Sequence, residues 1–276
     1  MGRRSGSKRG EGRGRGIGRG HGRLRMAAVL AVVLLFAAAL SVLLWRNPLS
    51  GGPSGPERAA IIDQLSLTQP NPDFAEQATG LLERAGYAVD YYPGEQVTVD
   101  FYRDLPARGY RLIVLRTHSA LATERDSATG DKTDKDYVGL FTSEPYDATK
   151  RSGEEQQGLM GPGHYYEGGQ EWFVVAPKFI ERSMRGRFDD TLVIMMGCDG
   201  LKSPITAQRF LAKGASAFVS WSKPVSASHT DAATLRLLEK LLVDGLTVAD
   251  AVTRTAAEVG PDPAYGAELR VLADGG

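Results

Sequence analysis

Two apolar runs in this 276-residue sequence end in a side chain able to move a proton or attack a carbonyl. Arg111–Thr117 (RLIVLRT) leads into His118, and Thr191–Met196 (TLVIMM) leads through Gly197 into Cys198. A thiol becomes a nucleophile when a neighbouring base or cation raises its thiolate fraction near neutral pH, and an imidazole is a natural partner for that task. Gly197 lets the backbone turn sharply beneath the thiol. The amides of Ser119 and Cys198 are candidate donors to an oxyanion. A second reading stands beside this one: free cysteine is among the most buried residue types, and a histidine at a strand end can be a satisfied structural group. His164 falls in a Gly/Tyr-rich stretch that reads as exposed, and His229 opens a later amphipathic helix as a cap or surface residue. Cys198 is the only cysteine of the chain, which excludes a disulfide scaffold and a zinc cluster. No glycine-rich phosphate loop follows a strand, so neither a metal nor an organic cofactor is expected.

Ligands of open α/β sheets bind beyond the carboxyl ends of the strands, and the intervening pattern predicts such a sheet. Ala59–Leu67 reads as a first strand, followed by a turn and cap at Pro70–Asp73 and a helix over Phe74–Gly86. Tyr87–Tyr92 is a short strand, and Thr98–Ala107 a helix beginning at a threonine. Arg111–Thr117 is apolar throughout its middle, as expected of a parallel strand covered on both faces. Residues 119–170 interrupt the rhythm as a polar insert, with an edge strand at Val138–Thr142. Order resumes with a strand at Glu171–Ala176, a helix at Pro177–Arg185, the Thr191–Met196 strand and a helix at Thr206–Lys213. A strand at Ala215–Trp221 and two helices, Thr230–Asp244 and Val248–Val259, complete the pattern. If the His and Cys strands are neighbours, imidazole and thiol face one cleft.

The 33 basic and 33 acidic side chains cancel, but they are not evenly spread. Residues 1–25 hold nine Lys/Arg against the single acid Glu11, a net +8, which leaves −8 for the remainder. Nine glycines share that segment, so it predicts a disordered tail similar to RGG-type nucleic-acid-binding tails or a flank that sets topology. The next segment favours the flank. Met26–Trp45 is twenty residues without a charge, proline or glycine, about 30 Å as a helix, the thickness of a bilayer's hydrocarbon core. That length predicts an uncleaved signal anchor, with a cleaved signal peptide as the alternative. The positive charges before it predict a single pass of the cell membrane with the N-terminus cytoplasmic and the rest extracytoplasmic. On this reading the tail meets anionic lipid, each arginine contributing about 1 kcal/mol, and no nucleic acid is expected. Residues 46–58 form a Pro/Gly/Ser linker. Residues 59–276 are enough for one domain with a sizeable core.

Three stretches, LIVLRTHSA, TLVIMMGCDG and AQRFLAKGASAFVSW, together resemble the caspase-like cysteine peptidases of clan CD, and CHAT domains in particular. The segment SKPVSASHTDAATLRLLEKLLVDGLTVADAV continues the likeness, which covers roughly residues 59–260 in element order. The resemblance implies a caspase-like three-layer α/β sandwich with a mostly parallel sheet behind one transmembrane helix. It also implies a membrane-anchored cysteine endopeptidase outside a prokaryotic cytoplasm, acting on a protein or peptide substrate. His118 is then the general base or ion-pair partner and Cys198 the nucleophile. Ser119 stands where the family usually has glycine, and the His–Cys gap of 80 residues exceeds the roughly 50 of caspases. Asp199 occupies a position where related domains often carry an acid. The acidic remainder of the chain suits Lys or Arg at the cleaved residue. The alternative is an inactive member of the fold, a tethered binding or sensing module.

Overall fold

A computed structural model of the chain describes residues 55–125 and 132–273; the expected tail, the apolar span and all but the end of the linker lie outside them. Among the described residues no helix is long and apolar enough to cross a membrane. The compact unit beginning at Pro56 is mixed α/β, built on a mostly parallel six-stranded sheet. Its strands are β1 (Arg58–Asp63), β2 (Ala88–Pro93), β3 (Leu112–Arg116), β8 (Thr191–Met195), β9 (Ala215–Trp221) and β10 (Leu269–Ala273), in the order β10-β9-β8-β3-β1-β2. Only β10 runs antiparallel, against β9.

Period-two alternation along these strands feeds two cores. Ala60, Ile62, Ile113, Leu115, Val193 and Met195 pack on α2 (Val99–Asp104), α4 (Pro177–Arg182) and α5 (Ile205–Ala212). Ala59, Ile61, Leu112, Val114, Leu192 and Ile194 pack on α1 (Pro72–Arg84), α6 (Ala227–Leu242) and α7 (Val248–Val259). β3 and β8 are buried at every position, the physical reason both read as unbroken apolar runs. The helix starts follow their caps. Asn71 accepts from the Phe74 amide at 3.1 Å, and Thr98 from the Phe101 amide at 3.1 Å.

The first strand stops at Asp63, four residues earlier than the pattern predicts, and Gln64–Leu67 coil into a 3-10 turn. The polar stretch departs furthest from expectation. It carries β4 (Ser119–Arg125), β5 (Lys132–Pro145), the short α3 (Ser152–Gln156) and β6 (Met160–His164). With β7 (Glu171–Val175) these strands make a second, antiparallel sheet ordered β4-β5-β7-β6. Its glycines concealed it from pattern reading, yet the sheet requires them: a Cβ on Gly139 or Gly163 would collide with the side chain of Val174. The edge strand expected at Val138–Thr142 is thus the middle of a longer internal one.

Candidate active site

β3 and β8 are hydrogen-bonded neighbours, with Leu115 opposite Met195, so both strands end at one level of the sheet. His118 follows one residue after β3 and Thr117, where the chain crosses into β4 of the second sheet. Cys198 opens a turn after β8 that is anchored to the next strand. The Asp199 amide donates to the Lys223 carbonyl and the Leu201 amide to that of Trp221, at 3.0 and 2.9 Å. Asp199 is buried and adopts a left-handed φ of 58° inside this turn. Gly197 allows the two crossings to touch, since a Cβ there would strike Ser119 Oγ and the Thr117 carbonyl oxygen. Ser119 Oγ then donates to the Cys198 carbonyl at 2.7 Å and ties the histidine turn to the cysteine turn.

The imidazole is held from two sides. Thr68 Oγ1 lies 2.9 Å from His118 Nε2, and the Tyr165 ring packs against the imidazole at 4.1 Å between centroids, tilted by 33°. Gln64 joins the two supports: its Oε1 accepts from the His118 amide at 2.9 Å, and its Nε2 donates to the Tyr165 hydroxyl at 2.6 Å. With Nε2 at a hydroxyl, Nδ1 carries no hydrogen bond among the described residues. Burial, and secondly the nearby Arg116 cation, lowers the His118 pKa to about 4, so the ring is neutral at pH 7.

The half-buried Cys198 sulfur meets the Val225 backbone, with the amide nitrogen 3.5 Å and the carbonyl oxygen 3.7 Å from Sγ. Burial pushes the thiol pKa up against the opposing pull of the Val225 hydrogen bond, and the charges of Asp199 and Asp262 add to the rise. The thiol is therefore protonated at neutral pH. Imidazole and thiol share no hydrogen bond, but both line one cleft of about 340 Å³. Thiol and imidazole therefore rest as two neutral groups, not as a thiolate–imidazolium pair.

Two amides are the expected oxyanion donors, that of Cys198, which lines the cleft, and that of Ser119, which does not. That of Cys198 has no hydrogen bond among the described residues. The Phe141 amide donates to the His118 carbonyl, so ladder alternation makes Ser119 and Leu140 a non-hydrogen-bonded pair. The Ser119 amide consequently points away from β5. His164 is exposed at the end of β6, and His229 in α6 packs its ring 5.2 Å from that of Trp221; neither lines the cleft. Among the described residues no group of three or more His, Cys, Asp or Glu is placed to hold a metal.

Sequence reasoning missed Gln64, Thr68 and Tyr165 around the histidine. One signal was present: Asp63-Gln64 interrupts an apolar run, and both side chains are buried. It also missed a buried ion cluster next to the histidine, in which Arg116 bridges Asp63 and Asp231 at 2.7 and 2.8 Å. No protein-family model matches the chain, and no curated protein matches it.

The lowered His118 pKa has a consequence for stability. An unfolded histidine binds its proton near pH 6.5 and the folded one only near 4. Stability is therefore complete above 6.5 and falls as pH drops toward 4, by at most about 3 kcal/mol. Urea unfolding at pH 7 and pH 4.5 should show this loss in the parent, and most of it should vanish in His118→Gln. Equal pH dependence in the two proteins would contradict the assignment.

Proposed function

We propose that the domain is a cysteine endopeptidase of the caspase-like kind, with Cys198 as nucleophile and His118 as general base. The carrying observation is that two neighbouring parallel strands end at these residues, and both line one cleft. A mostly parallel sheet with helices packed on both faces supports the three-layer caspase-like sandwich that the sequence resemblance implies. On this reading the sulfur attacks the substrate carbonyl as its proton passes to His118 Nδ1. The Cys198 and Ser119 amides receive the oxyanion. The tetrahedral adduct collapses with cleavage of the C–N bond, and the imidazolium returns the proton to the leaving amine. Water, deprotonated by the same imidazole, then hydrolyses the thioester. Thr68 meets Nε2 and so leaves Nδ1 as the ring nitrogen that takes the proton.

The uncharged run Met26–Trp45 carries the further proposal of a membrane tether, with the peptidase domain outside the cytoplasm. A second reading has its own observation. His118 and Cys198 are not hydrogen-bonded and each is engaged elsewhere, as in a module that keeps the fold and binds without turnover.

The single cysteine makes the test clean. The full-length chain in detergent is treated with iodoacetamide while hydrolysis of a mixed peptide library is followed by mass spectrometry. Cleavage should disappear in proportion to alkylation of Cys198. Full alkylation with undiminished cleavage would rule out the thiol, and alkylation of a protein that never cleaved would favour the binding module.

A further inference from the structure

The carboxylates around the cleft are already committed, and none lines it. Asp63 and Asp231 are buried and share the Arg116 guanidinium; Asp63 also accepts from the Tyr91 hydroxyl, and Asp231 from Asn71 Nδ2 at 2.8 Å. Asp262 spends one oxygen on the amides of Ala264 and Tyr265 and the other on the amide and hydroxyl of Ser226. Asp199 is buried and does not face the cleft. The apolar part of the walls beside the dyad is formed by Leu65, Met196, Val225 and Ala227, and the polar part carries no charged side chain, the Ser226 hydroxyl there being given to Asp262. The two threonines of the lining turn inward. Thr230 Oγ1 bridges Trp221 Nε1 and the Met196 carbonyl, and Thr117 Oγ1 meets the Phe141 carbonyl. Gln69 stands exposed at the rim, and Tyr265, 53% exposed, lines the same cleft.

Resting on the peptidase reading, we infer that this cleft takes an uncharged aliphatic side chain, the size of Leu or Met, from the residue whose carbonyl the thiol attacks. An ammonium or guanidinium entering it would lose water with no carboxylate on the walls to pair with, the charges of Asp199 and Asp262 acting only from behind the lining. A carboxylate would meet those same charges as repulsion. The acidic surplus of the chain, which alone would favour a basic residue, places no carboxylate on the walls. The volume of about 340 Å³ lies at the small end of ligand pockets, enough for one side chain and its flanking backbone.

The test uses peptidyl acyloxymethyl ketones that differ only at the residue bearing the ketone: Leu, Met, Lys, Arg or Asp. Labelling displaces the carboxylate from the methylene carbon and forms a thioether at Cys198, while the thiol proton is lost to His118 or water. It needs binding and a thiol but no turnover, so it reports on the cleft even if peptide hydrolysis fails. With the full-length chain, the Leu and Met probes should label at least tenfold faster than the Lys, Arg and Asp probes. A Lys, Arg or Asp probe that matched them would overturn the inference, as would failure of every probe on a protein that iodoacetamide labels. Gln69→Glu adds a carboxylate at the rim without changing shape, and should raise the Lys-to-Leu rate ratio about tenfold. An unchanged ratio would show that this cleft does not receive the side chain.

Discussion

Cys198→Ala is expected to reduce peptide hydrolysis by at least about a thousandfold while leaving the fold in place. The sulfur is the nucleophile of the proposed mechanism, and the chain holds no second cysteine to substitute for it. Its structural contribution is small, since its hydrogen bonds are the two long contacts with Val225. The urea midpoint should therefore shift by no more than about 1 kcal/mol equivalent, as for loss of a small, partly exposed group. His118→Ala should lose nearly as much activity. The double variant should lose no more than Cys198→Ala alone, because nucleophile and base act as one unit. Additive losses would mean that the imidazole serves some other step. Retention of even a tenth of the parent rate in Cys198→Ala would remove the thiol from the mechanism.

The legible parts of this protein were those whose cause is local. β3 and β8 announce themselves because a strand covered on both faces must be apolar at every position, and α7 begins at a threonine cap, Thr247, and ends at Gly260. That logic also places His118 and Cys198 at strand ends, where sheet topology does the rest. The illegible parts depend on distant partners. α6 begins at Ala227, three residues ahead of its pattern, because Asp262, 36 residues away, holds the Ser226 amide and hydroxyl. β10 is half-buried and ends the sheet antiparallel to β9, so its residues show no continuous apolar run. The supports of the imidazole come from positions 50 and 47 residues away in sequence, Thr68 and Tyr165. No periodicity points from those residues to a histidine; only the folded chain brings them there.

Arg116→Met is expected to destabilise the domain at pH 7 by about 3–5 kcal/mol, the largest loss of stability predicted for any single change considered. The side chain is 1% exposed and makes four charge-assisted hydrogen bonds: to Asp63, twice to Asp231, and to the Gln69 carbonyl. Its Cζ also sits 5.6 Å from the centroid of the Phe74 ring. Through these contacts one guanidinium fastens the end of β1, the end of β3, the approach to α1 and the face of α6. Methionine matches much of its volume but leaves two buried carboxylates without a cation, and that unpaired charge dominates the cost. Arg116→Lys should fall between parent and Met variant, since a single ammonium cannot reproduce the fork that grips both oxygens of Asp231. Replacing all three members together, with Met at 116, Leu at 63 and Leu at 231, should recover most of the stability, because the desolvation penalty leaves with the charges. Urea midpoints of the four proteins at pH 7 decide the matter. A Met variant within about 1 kcal/mol of the parent would mean that the cluster is solvated in solution, and the committed state of Asp63 and Asp231 beside the cleft would fall with it.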